Sequence, residues 1–353
     1  MNSRAVARIS DECYPMLTVE QIKGAIAREE PVILGDPVLA RLSLPFRETF
    51  HPYGFPLEIV TNSEDVLTAA AASWHGFVKL FDTPPLRMRI GVREGRSSEC
   101  PPAPQSRANE DLYTMIADAE NFAVFDLVKG YSSIWLTEAA VEHKNYLRYF
   151  FLEGPAMCLL AASHVTAIHA ACVERVGSGI LLCGDSGAGK SSLAYACARV
   201  GWTYITDDAC FLVNNRDDRL VVGNCNQARF RPSASELFAE LKGRAATQRM
   251  HAGKPSIEIK TTALRNIATS STSHVNHVVF LNRRSGVRQE LVPFSAEVAR
   301  YSMLQVLTSP TATRKVQTGM IDDLLSGGAL ELRYSDLNWA IDRLARLAEE
   351  GRW

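Results

Sequence analysis

No run of apolar residues in this sequence approaches the roughly 20 needed to cross a bilayer, so no transmembrane helix is expected. A signal peptide is not expected either, because Arg4 and Arg8 are followed by no apolar segment. Charge of one sign is also lacking: 38 basic and 39 acidic residues give a formal charge of −1. That balance offers no electrostatic case for binding nucleic acid or a membrane surface. Eight cysteines, at 13, 100, 158, 172, 183, 197, 210 and 225, form no C-x-x-C pair and no Cys/His metal pattern. Several lie in apolar runs, where cysteine behaves as a small core residue. His274 and His277 resemble a ligand pair, but they precede Val278-Val279-Phe280-Leu281 in an expected strand, where residues three apart face opposite ways. No internal repeat is visible. These absences lead to the expectation of a reduced, cytoplasmic protein without structural zinc.

What is present centres on Gly184-Asp185-Ser186-Gly187-Ala188-Gly189-Lys190-Ser191, which fits the phosphate-loop pattern G-x-x-x-x-G-K-[ST]. Gly179-Ile180-Leu181-Leu182-Cys183 before it reads as a buried strand. Ser192 to Val200 after it is rich in helix formers and closes at Gly201. Strand, glycine loop and helix are the context in which the motif has physical meaning. A helix N-terminus leaves backbone N–H groups unpaired and carries positive dipole character. Glycines let the backbone wrap a phosphate closely. The nucleotide-contacting set is therefore Gly184, Asp185, Ser186, Gly187, Ala188, Gly189, Lys190, Ser191 and Ser192. In it Lys190 would reach the β- and γ-phosphates and the Ser191 hydroxyl would ligate Mg²⁺. A dinucleotide-binding fingerprint is excluded, because Ser192 stands at its third glycine.

Elsewhere the sequence predicts a helix over 18–28, a turn at Gly35-Asp36-Pro37 and a strand at Leu57–Val60. Asn62-Ser63 is expected to cap a helix over Glu64–Trp74. Val78–Phe81 and Leu86–Val92 read as strands. Gly95 to Glu110, with three prolines and no periodicity, reads as a loop. Strands follow at Tyr113–Ala117, Phe122–Leu127 and Ser133–Leu136. A helix is predicted over Glu138–Ser163, kinked or interrupted at Gly154-Pro155. Phe211–Val213 and Leu220–Val222 flank a polar turn as a hairpin. Ser233 to Glu236 reads as a capping box. A strand at Val278–Leu281 and helices over Ala296–Leu307 and Asp336–Glu349 complete the reading. The whole is α/β, with an N-terminal α+β region over 1–150 of unknown role and a P-loop domain over 151–353.

Asp207 and Asp208 end the apolar strand that follows the loop helix. One carboxylate there can hold Mg²⁺, directly or through water, and the other can accept the proton of an attacking hydroxyl. His169 lies in the apolar segment Ala167–Ala171, a place that suits a hydrogen-bonded core histidine as well as a catalytic one. Arg229 and Arg231 alternate with Ala228, Phe230 and Pro232, so both can project from one strand face toward phosphate or carboxylate. Lys254, Arg265, Arg283 and Arg284 are weaker candidates.

His169, Gly184–Ser191 and Asp207-Asp208 together resemble the catalytic domain of bacterial HPr kinase/phosphorylase. The steps of 21 residues from His169 to Lys190 and 18 from Lys190 to Asp208 fit that family's spacing. The resemblance is tight over about 165–213 and only architectural beyond it. It implies a fold like the nucleotide-binding part of phosphoenolpyruvate carboxykinase, with ATP and Mg²⁺ as cofactors. It also implies Asp208 as base, His169 beside the transferring phosphoryl, Lys190 and Ser191 on phosphates and Mg²⁺, and Asp207 as a metal ligand or its partner. The family's L-E-I-R-G-like stretch, with its metal-binding glutamate, has no counterpart. Asn224 to Pro232 stands there instead, and Glu236 or Glu258 would have to fold back. Residues 1–150 do not look like the family's N-terminal domain. The expectation is an ATP- and Mg²⁺-dependent kinase acting on a hydroxyl, a serine of a protein, peptide or small molecule, with no nucleic-acid or membrane partner. Homo-oligomers are common in the family. The alternatives are a nucleotide-binding sensor or scaffold without phosphotransfer, and a simple NTPase.

Overall fold

The computed structural model describes residues 18–28, 42–109, 111–246, 255–264, 266–284, 286, 288–307 and 311–351. The expected turn at 35–37, Cys13, Lys254 and Arg265 lie outside them.

After a short helix α1 (Val19–Ala27), the chain builds a sheet from β1 (Phe46–Phe50), β2 (Leu57–Thr61), β3 (Leu86–Arg93), β4 (Gln105–Asn109), β5 (Leu112–Ile116), β6 (Phe122–Asp126) and β7 (Tyr131–Thr137). The spatial order is β1-β2-β3-β7-β6-β5-β4. β2, β3 and β7 run parallel, and the remaining neighbours are antiparallel. Period-two patterning explains the inner face: Leu57 and Ile59 on β2 and Leu86, Met88 and Ile90 on β3 are buried. Helix α2 (Glu64–Trp74) covers that face with Val66, Ala69, Ala70 and Trp74.

Three expectations fail here. Val78–Phe81 is not a strand: the Leu80 and Phe81 amides both donate to the Gly54 carbonyl, so the segment straps across a turn. Gly54 sits at φ +88, and a Cβ there would lie 2.6 Å from the Leu80 Cβ, so the strap requires glycine. The supposed loop 95–110 contains β4, whose side chains are all exposed. Its ladder with β5 makes it a strand, and an edge strand exposed on both faces leaves no hydrophobic alternation to read. Ser63 occupies the N-cap of α2 without a side-chain bond, while Asn62 is turned to the Val92 amide and carbonyl, at 2.8 Å each.

The predicted helix over 138–163 is broken into α3 (Glu138–Glu142), α4 (Lys144–Tyr146), a π-helical turn over Leu147–Glu153 and α5 (Gly154–Ser163). His143, at φ −78 and ψ 74, makes the first break. Pro155 lacks an N–H, and the Gly154 amide reaches back five residues to Tyr149, so the disturbance expected at Gly154-Pro155 appears as a π-turn just before it.

The second sheet comprises β8 (Val165–Ile168), β9 (Ala171–Arg175), β10 (Ser178–Cys183), β11 (Thr203–Thr206), β12 (Cys210–Val213), β13 (Leu220–Gly223), β16 (Ala268–Thr269), β17 (Thr272–Arg283), β18 (Glu290–Phe294) and β19 (Ala329–Tyr334). A separate ribbon pairs β14 (Gln227–Phe230) with β15 (Ile257–Lys260). Parallel and antiparallel pairs mix: β10 is parallel to β17 and antiparallel to β9. Helices α6 (Lys190–Arg199), α7 (Ala296–Leu304), α8 (Thr311–Leu325) and α9 (Leu337–Glu350) cover both faces. On β10, Ile180 and Leu182 pack with α6 and α9, while Leu181 and Cys183 pack with α7 and α8. All six β10 residues are buried, which is why the strand reads as an unbroken apolar run. The chain is thus α/β with mixed sheets.

Helix α8 and strand β15 escape the sequence reading. Threonines and Gly319 dilute the apolar stripe of α8, and β15 is only four residues long. The expected capping box at 233–236 is a 3₁₀ turn without a side-chain cap, in which Ser235 donates back to the Pro232 carbonyl. The core of the first sheet continues onto Val165, Phe211, Val213 and Val222 of the second. Phe55 stacks on His164 at 4.9 Å, and Tyr53 meets Phe211 edge-on at 4.6 Å.

Candidate active site

Register brings three connections to one end of the second sheet. β8 pairs antiparallel with β12, and Ile168 opposes Cys210. The residues just beyond that pair, His169 on one side and Asp208 on the other, therefore emerge together. β9 lies between β10 and β11, so the glycine loop after β10 and the aspartate pair after β11 open toward the same place. His169 sits in the turn leaving β8 and is about half exposed, with its Nδ1 3.5 Å from Asp208 Oδ1. The core position allowed for it from sequence is therefore not the one it occupies.

The glycine loop joins β10 to α6. Gly184, Gly187 and Gly189 have φ of +134, +95 and +101, in the region that favours glycine. At Gly189 a Cβ would also lie 2.8 Å from the Tyr334 hydroxyl. Lys190, at the first turn of α6, is 6% exposed, and its ammonium donates to the carbonyls of Gly184 at 2.7 Å and Asp185 at 3.2 Å. Burial pulls its pKa below the ordinary lysine value, opposed by Asp208. The Ser191 hydroxyl donates to the Asp207 backbone carbonyl at 3.4 Å, tying the loop helix to the aspartate turn.

The two aspartates differ. Asp207 is buried. Its Oδ1 accepts from the Tyr204 hydroxyl at 3.0 Å and its Oδ2 from the Arg229 amide at 2.8 Å. Burial raises its pKa to about 6, with the neighbouring Asp208 adding to the rise and the two hydrogen bonds opposing it. Asp208 is half exposed and faces the cavity. The His169 pKa is shifted downward, first by burial and then by the Lys190 charge, with Asp208 opposing, which favours the uncharged ring.

Arg229 belongs to β14 and opposes Glu258 of β15. Its Nε lies 3.1 Å from Glu258 Oε1, and its Nη1 is 4.0 Å from Asp208 Oδ2. Gln227 donates to the other Glu258 oxygen at 2.8 Å. Glu258 is thus engaged by Arg229 and Gln227 and does not border the cavity at the glycine loop. Arg231 donates to the Ser186 hydroxyl at 3.3 Å. Both arginines, with Ser186, Gly187, Gly189, Lys190, Ser191, Ser192, His169, Asp207 and Asp208, border one cavity of about 610 Å³. Arg283 and Glu236 border it too. Tyr204 and Tyr334 were missed from sequence. Tyr204 stands three residues before Asp207 in a buried strand, where a tyrosine reads as core, and Tyr334 reaches Gly189 from the far end of the chain.

Residues 160–231 match the family model described as HPr Serine kinase C-terminal domain. The HPr kinase/phosphorylases of Bacillus subtilis strain 168 and Bacillus velezensis are each 35% identical over 78 residues, which is 22% of this chain and 23% of theirs. The chain thus spans less than a quarter of the length of these curated relatives. The structure of the Hpr(Ser) kinase/phosphatase from Coxiella burnetii aligns at 14% identity with a TM-score of 0.28, over 52% of this chain and 99% of that one. The segment carrying His169, the glycine loop and the aspartate pair is HPr-kinase-like.

Proposed function

We propose that this HPr-kinase-like chain is a P-loop phosphotransferase that moves the terminal phosphoryl of ATP to a hydroxyl, that of a serine on a protein, peptide or small molecule. The observation carrying this reading is the convergence of His169, Lys190, Asp208 and Arg229 around one cavity at the mouth of the glycine loop. The residues fit a nucleotide: glycines 184, 187 and 189, held at positive φ, lead into a helix N-terminus whose free amides suit a phosphate. They also fit Mg²⁺ in part, since Ser191, Asp207 and Asp208 offer the oxygen donors that a hard cation takes. Among the described residues no three His, Cys, Asp or Glu side chains form a metal cluster. Phosphate oxygens and water would complete such a shell, the usual arrangement for Mg²⁺.

In this reading Lys190 and the loop amides hold the phosphates, and Ser191 and Asp207 hold the metal side. Mg²⁺, when bound, neutralises charge on the phosphates. Asp208 takes the proton of the acceptor hydroxyl. His169, with its Nδ1 3.5 Å from the Asp208 carboxylate, keeps that group oriented toward the cavity. Arg229 and Arg231 add positive charge where negative charge builds in transfer. The division into an N-terminal region over 1–150 and a catalytic domain over 151–353 is part of the same proposal.

Incubation with Mg²⁺, γ-labelled ATP and a panel of serine-bearing acceptors tests it. Labelled acceptor is the expected product, and Asp208→Asn is expected to abolish it while retaining nucleotide binding. Full transfer in that variant refutes the assignment of the base. Tight nucleotide binding with no transfer to any acceptor favours the sensor.

A further inference from the structure

A second, larger cavity of about 900 Å³ adjoins the first, and Asp208 and Arg229 border both. Residues 52–158 supply most of its wall, the larger share of them from the N-terminal region whose role the sequence leaves open. Its apolar lining includes Tyr53, Trp74, Phe77, Tyr149, Phe150 and Met157. Its charged lining is balanced: Arg148, Arg229 and Lys260 against Glu153, Asp208 and Glu258. Two of those pairs are closed, Arg148 to Glu153 at 3.0 Å and Arg229 to Glu258 at 3.1 Å.

We infer that this chamber is the acceptor subsite, and that it selects a hydroxyl carried on an uncharged, aromatic or otherwise apolar body. The inference rests on the phosphotransferase reading and names the substrate class of that site. Three physical points lead to it. A transfer site needs donor and acceptor on either side of one base, and Asp208 is the carboxylate exposed to both cavities. The chamber falls in the range of pockets that enclose small ligands, about 300–1,000 Å³, whereas a folded protein offers only a protruding tip to a recess of this kind. Aromatic side chains form one part of its wall and its six charged side chains sum to zero, so burying an apolar body there is more favourable than burying a charged one. In the step itself, the bond from acceptor oxygen to the terminal phosphorus forms as the bond from that phosphorus to the bridging oxygen breaks. Asp208 receives the hydroxyl proton, and the nucleoside diphosphate leaves.

The test compares N-acetyl-phenylalanyl-serine amide with N-acetyl-glycyl-serine amide as acceptors, with ATP and Mg²⁺. The expected result is a kcat/KM at least about tenfold higher for the phenylalanyl acceptor, the scale at which a filled apolar pocket discriminates. Ala72→Trp and Met157→Trp fill the chamber from α2 and from α5, and each is expected to bring the ratio toward one. The ratio is read within each variant, so partial misfolding or weaker nucleotide binding, which scales both rates alike, does not imitate the effect. 2-Phenylethanol separates the two sources of such a body. If it is the faster acceptor the natural substrate is a free small molecule, and if the peptide amide is faster it is a peptide end. Equal rates for the two amides in the unmodified protein, or a preference that neither filling variant moves, overturn the inference while leaving the phosphotransferase reading standing. No transfer to any acceptor, free serine included, refutes that reading and the subsite with it.

Discussion

Replacing Asp207 by asparagine should make the protein's stability respond to pH in a way that the unmodified chain's burial energetics dictate. Asp207 is 5% exposed, and its pKa is raised from 3.8 to about 6, chiefly by burial. Between those values the unfolded chain releases the proton while the folded chain still holds it, so folding becomes less favourable as pH rises through about 4 to 6. Below that window the group costs nothing. Above it the ionised carboxylate is disfavoured by roughly 3 kcal/mol, at about 1.4 kcal/mol per tenfold in proton affinity. The substituted amide carries no such term. Its oxygen can still accept from the Arg229 amide. The Tyr204 hydroxyl can donate to the Gln227 carbonyl, already 3.1 Å away, and accept from the new NH₂. Urea unfolding of both proteins in the presence of EDTA at pH 4 and pH 7.5 measures the difference. Asp207→Asn is expected to gain about 2.5 kcal/mol relative to the unmodified chain between the two pH values, because at pH 4 the unfolded carboxyl is already partly ionised. A difference independent of pH, or one of opposite sign, would show that the hydrogen bonds from Tyr204 and Arg229 outweigh burial, and would refute the reasoning.

Three further outcomes are expected. Lys190→Ala removes the buried ammonium from the loop and should weaken binding of a fluorescent ADP analogue at least about tenfold; unchanged affinity contradicts the loop's role. Gly189→Ala forces a side chain to φ +101 and against the Tyr334 hydroxyl, costing about 1–3 kcal/mol. Tyr334→Phe in the same chain should recover the contact part of that loss but not the backbone part, and complete recovery in thermal melts would contradict the strain argument. His169 is held below 6.5 by burial and Lys190, so transfer rates should fall on acidification with an apparent pKa below 6.5 as the ring charges beside Asp208. His169→Gln should remove that limb from a pH–rate profile, and a limb that persists unchanged assigns it to another group.

Much of the site was legible because its chemistry is local in sequence. Gly184 to Ser191 stands out through three glycines that the loop holds at positive φ, and β10 before it reads as buried because both its faces are covered. The α2 helix was legible from its capping residues, α6 from helix formers closed by Gly201, the hairpin of β12 and β13 from its polar turn, and α9 from its apolar periodicity, because each of these signals lies within its own element. The same local view failed for β4, which has no buried face, for the π-turn before Pro155, and for α8, whose stripe is diluted by threonine and glycine.

Pairing between distant strands was beyond such a reading. The sequence alone determined that a G-x-x-x-x-G-K-S segment, a histidine and two carboxylates occur at fixed intervals. Only the tertiary structure decided which carboxylate is buried and which faces the cavity, because that depends on Tyr204 and the β14 backbone closing around Asp207. It also turned His169 out of the core, by pairing Ile168 with Cys210, and brought Glu258 across the ribbon to Arg229. The chamber beside Asp208 has no sequence signature at all. It is the gap left where the first sheet and its helices meet the β14–β15 ribbon and the turn before β12, and a gap is a property of two surfaces meeting rather than of either chain segment.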